Sequence, residues 1–224
     1  MTPPHRRVRQ IHPEKRKGVF MDPQRKDFLA TEAVYTGDSL RIGDEYVMHE
    51  WERPLIRRMV EDLKLTPDDR LLEVGFGMGI SASILQEFGP ASHTIVEPHP
   101  QVLAQAERWK GARVNIHLQP GYWQQLNPGA QRYSAIFFDP FADDMAAVDE
   151  ENLEFLRFAA QSLLAEGGRL ALFCIRPLLP LEYQRVMFEH YRRVEISSVQ
   201  VTPRDTADPT ADLAGRMISV VLHK

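Results

Sequence analysis

From residue 70 to about residue 176, short and almost wholly apolar runs alternate with segments of helical periodicity, and this alternation leaves the chain few folds to choose from. Runs at 70–74, 93–97, 114–118, 134–139 and 169–175 read as strands; stretches near 79–88, 100–110 and 149–165 read as the helices between them. Strands that are apolar on both faces and separated by helices belong to a parallel sheet covered on both sides. The expected architecture is a doubly wound α/β domain. After a helix over 181–190 the pattern changes to two β-rich runs, 194–201 and 217–222, joined by the polar loop 203–212. These predict an antiparallel pair at the sheet margin, with an exposed edge near 216–222 through which a homodimer could form.

Upstream of the alternation, apolar residues from 45 to 63 recur at helical spacing, interrupted only by Pro54, so a turn followed by a helix from near Trp51 is expected. Residues 1–34 read as a basic arm or lid with one short helix around 27–34, and residues 35–224 as the domain proper. The arm carries Arg6, Arg7, Arg9, Lys15, Arg16, Lys17, Arg25 and Lys26 against Glu14 and Asp22 up to residue 26, a net +6, which leaves −10 on the rest of a chain of net charge −4. An acidic body favours a cationic substrate or cofactor. A single cysteine, Cys174, excludes an internal disulfide framework and reads as a buried strand residue. No run is long and apolar enough for a membrane span, and a cytoplasmic protein without a membrane partner is expected. The histidines lack metal-ligand spacing, so no metal is expected.

The sharpest motif is Leu72-Glu73-Val74-Gly75-Phe76-Gly77-Met78-Gly79, placed after a strand and before a helix, where glycines permit a tight turn and close approach of a ligand. A dinucleotide fingerprint needs a third glycine at 80 for helix packing, and Ile80 stands there. The spacing resembles instead the first motif of class I methyltransferases, which implies a Rossmann-like sheet, S-adenosylmethionine as cofactor with S-adenosylhomocysteine as product, and Glu73 near the cationic methionine end of that cofactor. At the end of the next strand Glu97, followed by Pro98, falls where a carboxylate accepts hydrogen bonds from both ribose hydroxyls.

Several further stretches resemble guanidinoacetate N-methyltransferase and the related fungal arginine δ-N-methyltransferases: Val47-Met48-His49-Glu50-Trp51-Glu52-Arg53-Pro54, Ile95-Val96-Glu97-Pro98, Gly121-Tyr122-Trp123, Phe138-Asp139-Pro140-Phe141 and Leu163-Leu164 before Gly167-Gly168. The resemblance implies methyl transfer to the guanidino group of a small arginine-like molecule: arginine, an arginine-derived metabolite or guanidinoacetate. It places the guanidino ligand and base at Asp139. The guanidinoacetate enzyme has its second carboxylate where this chain has His49, whereas the fungal pattern is closer to Glu50-Trp51-Glu52, so Glu50 is taken as the second carboxylate, with His49, Trp51 and Phe141 as substrate contacts. Gly75, Phe76, Gly77, Met78, Gly79, Pro98, Gly121, Tyr122, Trp123 and Asp139 complete the expected cofactor site.

Elementary chemistry asks for the same carboxylates. A guanidinium has no lone pair free to attack and is repelled by a sulfonium, so anions must bind it, offset its charge and take a proton. Asp139, at the C-terminal end of a central strand, lies on the side where open α/β sheets hold ligands. Other readings stay open. Asp139-Pro140 could merely open a turn, Trp51 could belong to the core, Glu52 could complement a helix dipole, and Tyr122-Trp123 could stack on adenine or only cover the sheet. Asp139-Pro140-Phe141 is also similar to the loop of amino-group DNA methyltransferases, with the basic arm on phosphates; the missing second proline and the acidic body argue against a nucleic-acid partner. A protein arginine as substrate, or a noncatalytic cofactor-binding subunit, completes the alternatives.

Overall fold

The computed structural model describes residues 23–129, 132–141, 145–174, 178–202 and 215–224. Residues 1–22, with most of the basic arm, and the polar loop 203–212 lie outside the described residues. Among the described residues no helix is long and apolar enough to cross a membrane.

The chain opens with α1 (Pro23–Ala30) and a three-stranded antiparallel sheet of β1 (Ala33–Tyr35), β2 (Ser39–Ile42) and β3 (Glu45–His49). The expected helix over 27–34 therefore starts earlier and stops sooner: Thr31 closes it by returning both its N–H and its Oγ1 to the Asp27 carbonyl, at 3.0 and 2.7 Å. The small sheet was not foreseen. Its third strand carries Tyr46, Val47 and Met48 in succession, with burial rising along it, a run too short to separate strand from helix. The turn-then-helix reading holds from there on. One tight helical turn, Glu50–Glu52, runs into α2 (Arg53–Leu63). Pro54 sits in the first turn, where its missing N–H has no partner to lose. Leu55, Ile56, Met59, Val60 and Leu63 are all buried on one face, each worth about 1.5–3 kcal/mol relative to exposure.

The main sheet has seven strands in the order β6-β5-β4-β7-β8-β10-β9. Strands β4 (Arg70–Val74), β5 (Ser92–Glu97), β6 (Ile116–Pro120), β7 (Tyr133–Phe138) and β8 (Leu164–Phe173) are parallel, connected through α3 (Ile80–Gln86), α4 (Pro100–Lys110) and α5 (Met145–Phe158). The doubly wound α/β expectation is met. β6 begins two residues later than expected, and Val114 is 91% exposed ahead of it. α5 ends at Phe158, and a wider helical turn over 159–163 delivers the chain into β8 before Gly167-Gly168 rather than after it.

After α6 (Leu181–His190) come β9 (Arg193–Gln200) and β10 (Arg216–His223), antiparallel as expected. The expected edge at 216–222 is corrected: β10 pairs with β8 on one side and β9 on the other, so β9 is the margin. The physical reason is visible in burial. β10 buries Met217, Val220, Val221 and Leu222 against both layers, while β9 alternates between exposed and half-buried positions.

Candidate active site

The parallel strands run outward in both directions from the β4/β7 boundary: β5 and β6 lie on one side, β8 on the other. At such a switch point the connections leave the strand ends in opposite directions and open a crevice at their C-terminal ends. A cavity of about 780 Å³ occupies it, lined by Gly75 and Gly77 after β4, Glu97 and Pro98 at β5, Gly121, Tyr122 and Trp123 after β6, Asp139, Pro140 and Phe141 after β7, and Cys174 after β8. The small sheet and the turn after it close the cavity from outside with Tyr46, His49, Trp51 and Glu52, and α5 and α6 add Asp149, Glu151, Asn152 and Tyr183.

Close backbone approach holds the centre together. Gly75 takes φ +90 and donates its N–H to the Val96 carbonyl at 2.9 Å, while the Asp139 N–H reaches the Val74 carbonyl at 3.1 Å. A Cβ at Gly75 would overlap the Asp139 carbonyl oxygen, so only glycine lets the β4 turn lie against the end of β7. At Gly77 a Cβ would stand 2.9 Å from the Met48 sulfur, which itself accepts the Met78 N–H at 3.3 Å. The cover sheet is thereby seated on the glycine turn, and the Tyr35 hydroxyl donating to the Gly77 carbonyl at 3.2 Å adds a second tie.

The buried Glu97 carboxylate receives the Phe76 N–H on Oε2 at 3.0 Å and the His99 N–H on Oε1 at 2.7 Å. Burial nevertheless pushes its pKa up to about 7, the backbone donors pulling down and the charge of Glu73 pushing further up. The Gly77 N–H is a third backbone donor to this carboxylate, and the residue lines the cavity with acceptor oxygens of the kind a ribose hydroxyl requires. Asp139 retains partial exposure to the cavity, but its Oδ2 is shielded from solvent and meets no hydrogen-bond partner among the described residues. Desolvation, and secondarily the charge of Glu73, raises its pKa from 3.8 to about 7. A carboxylate in that setting is poised for a cationic hydrogen-bond donor.

Not every expected residue reaches the cavity. Glu73 is fully buried with its Oε2 2.8 Å from the equally buried His93 Nε2. Side chains alternate along β4, so Glu73 points away from the face on which Val74 lines the cavity. Phe76 is buried and packs edge-on against Trp109, so the turn offers its backbone rather than that ring. Met78 and Gly79 also stay off the cavity lining. Glu50, taken from sequence as the second carboxylate, instead gives both oxygens to Arg53, Oε2 to Nη2 at 2.9 Å and Oε1 to Nε. Its neighbours His49, Trp51 and Glu52 are the ones that line the cavity. His49 lies between the rings of Tyr46 and Trp51, with centroids 4.5 and 5.8 Å away.

Phe141 lines the cavity and stacks on Phe28 at 5.4 Å. Trp123 borders the cavity and is buried against Phe138, Phe155 and Phe158. Tyr46, Glu52, Asp149, Glu151, Asn152 and Tyr183 were not singled out as site residues. Tyr183 and Asp149 are 34 positions apart and meet only because α6 packs on α5, with the Tyr183 hydroxyl donating to Asp149 Oδ1 and accepting from Asn152 Nδ2, each at 3.0 Å.

The sheet order, the glycine turn and the acid at the end of β5 define a class I methyltransferase fold. Among solved structures it is similar to spermidine synthase from Thermotoga maritima, with a TM-score of 0.62 at 12% identity over 86% of this chain and 72% of that one. It is also similar to the N-methyltransferase NodS from Bradyrhizobium japonicum, with a TM-score of 0.58 at 15% identity over 78% of this chain and 96% of that one. NodS has also been solved with S-adenosylhomocysteine. Identities this low speak for the fold alone.

The sequence is more specific: residues 22–195 match guanidinoacetate N-methyltransferase, and the chain belongs to that family of S-adenosylmethionine-dependent methyltransferases. One curated relative, protein arginine N-methyltransferase 2 of Aspergillus fumigatus, is 32% identical over 164 residues, covering 70% of this chain and 38% of that protein. A second of the same name, from Emericella nidulans, is 31% identical over 65% of this chain and 35% of its own length. The chain thus spans little more than a third of these relatives.

Proposed function

We propose that this protein transfers a methyl group to a guanidino nitrogen of a small arginine-like molecule. One observation supports the reading above the rest: at the sheet's switch point Asp139 presents a carboxylate whose Oδ2 is shielded and unpartnered among the described residues, and no lysine or arginine among them lines the cavity to neutralise it. S-adenosylmethionine, when bound, supplies an electrophilic methyl group on a sulfonium. Gly75, Gly77, Glu97 and Gly121–Trp123 are the residues that would hold it, on the β4–β6 side of the crevice. The guanidino group then belongs on the β7–β8 side.

Asp139 accepts hydrogen bonds from the guanidinium, orients one nitrogen toward the methyl donor and takes the proton that this nitrogen loses as it gains the methyl group. A base with a pKa near 7 suits that exchange at neutral pH. The second carboxylate is assigned to Glu52 in place of Glu50. Glu52 lines the cavity, its Oε1 accepting the His49 N–H at 2.8 Å, while Arg53 occupies both oxygens of Glu50. Tyr46, His49 and Trp51 supply an aromatic wall of the kind on which a guanidinium stacks. Charge placement and alignment carry the catalysis.

The test is label transfer from S-adenosylmethionine to guanidino compounds by the wild type and by Asp139→Ala. The variant is expected to lose turnover by at least about a hundredfold, the usual worth of a positioned base, with cofactor affinity kept. Full activity in Asp139→Ala would remove the assigned role. A protein-borne arginine is the second reading, favoured by the name of the curated relatives.

A further inference from the structure

We infer that His99 is a positioning residue that carries occupancy of the ribose carboxylate, Glu97, to the cover over the crevice, so that bound cofactor fixes the wall at which the guanidino group is received. The inference rests on the reading of Glu97 as the ribose ligand and goes beyond it. His99 is fully buried and faces two ways. Its backbone N–H donates to Glu97 Oε1 at 2.7 Å, and its ring Nε2 stands 3.0 Å from the Thr31 carbonyl, just past the end of α1. A carbonyl oxygen only accepts, so this contact requires the tautomer with the proton on Nε2. Nδ1 is buried and meets no hydrogen-bond partner among the described residues, so the ring is held by Thr31 and by packing.

The mount is stiff. His99 caps α4, where Pro100 opens the helix with a fixed φ and the Leu103 N–H returns to the His99 carbonyl at 2.8 Å. Two positions on, Gln101 Oε1 accepts the Ala33 N–H at 2.8 Å, so the first turn of α4 grips the α1–β1 junction on both sides of residue 32. An aromatic seam extends the grip: Phe28 meets the His99 ring edge-on at 5.2 Å and stacks on Phe141, two residues past Asp139, at 5.4 Å. Further along the cover, β3 and the turn after it bring Tyr46, His49, Trp51 and Glu52 to the cavity. None of residues 31–35 lines that cavity, so a change in their backbone on cofactor binding is transmitted, not made by contact. The link at Glu97 has a physical cause. Burial holds its carboxyl at about 7, hydroxyl donors on it favour the ionised form, and an ionised oxygen holds the His99 N–H more strongly.

The experiment is amide hydrogen exchange of the full chain with and without saturating S-adenosylhomocysteine, read over residues 31–35 in wild type, His99→Leu, His99→Gln and Gln101→Leu, with binding followed by calorimetry. In the wild type the ligand should slow exchange there by about tenfold, a coupling of ordinary size. Leucine fills the space of the ring without a donor and should cut the slowing to about twofold or less, while glutamine, whose Nε2 can reach the same carbonyl, should restore it. Gln101→Leu, at an exposed position of α4, should lower the slowing too, and it tests the same turn without emptying a buried site. The backbone donors to Glu97 and the ties of Tyr35 and Met48 to the glycine turn remain in every variant. S-adenosylhomocysteine bound with no slowing at 31–35 in the wild type, or slowing of equal size in wild type, His99→Leu and Gln101→Leu, would overturn the inference and leave the guanidino reading standing. No binding of S-adenosylhomocysteine to the wild type would overturn the cofactor site on which both rest.

Discussion

Replacing Asp139 with asparagine is expected to stabilise the ligand-free protein at pH 8 while abolishing its turnover. The carboxyl is held at about 7 in the fold against 3.8 in its ordinary state, chiefly by desolvation. Between those two values the folded chain binds more protons at this site than the unfolded chain, so stability falls as pH rises through roughly 4 to 7 and the whole penalty is present above 7. At about 1.4 kcal/mol per pKa unit, the ionised carboxylate costs the fold on the order of 4 kcal/mol at pH 8. Asparagine has nearly the same shape and no charge, but its amide is also short of partners, so about half of that gain is recovered.

With a urea m-value of about 1–3 kcal/mol/M, a gain of ~2 kcal/mol moves the midpoint up by roughly 0.7–2 M. The assay is equilibrium urea unfolding of wild type and Asp139→Asn at pH 8 and pH 4.5, without cofactor. The midpoints should separate at pH 8 and converge at pH 4.5, where the wild-type carboxyl is protonated in the fold. An asparagine variant no more stable than wild type at pH 8, or a difference of equal size at both values, would refute the argument that the site holds an unpaired charge awaiting a cation. Stability given up at a functional carboxylate is the usual sign of a group kept for chemistry.

Three further outcomes are expected. Glu97→Ala should weaken cofactor binding by about ten- to a hundredfold in calorimetric titration, the worth of charge-assisted hydrogen bonds to the ribose, since Glu97 closes the β5 end of the crevice. Gly75→Ala should destabilise the fold by about 1–3 kcal/mol in thermal or urea unfolding and impair cofactor binding with it, because φ is +90 there and the new methyl group would overlap the Asp139 carbonyl oxygen. Steady-state kinetics of Glu50→Gln and Glu52→Gln should differ: the second raises KM for the guanidino substrate about tenfold or more, and the first does so by no more than a few-fold, through release of Arg53.

The architecture was legible in the sequence because each parallel strand is apolar on both faces and each intervening helix keeps its own period. The glycine turn was legible for a related reason: backbone at φ +90 packed against another strand end admits no side chain, so Gly75 is forced by local geometry that the sequence records. Glu97 and Asp139 were found because strand ends are predictable, and a carboxylate at such an end faces the crevice.

Other features depended on three-dimensional partners. Residues 45–49 form a strand because β2 is there to pair with them, which no period within five residues could announce. The direction of Glu50 was decided by Arg53, one turn away, and that of Glu73 by His93 on the neighbouring strand. Whether 216–223 or 193–200 forms the sheet margin was decided by the insertion of β10 between β8 and β9. The sequence by itself determined the class of fold, the nucleotide turn and the two principal carboxylates, since these rest on local period and strand-end position. The tertiary structure alone decided which neighbouring side chains share the cavity, because the cover sheet, α5 and α6 reach it from separate stretches of the chain, and only packing brings their side chains to one place.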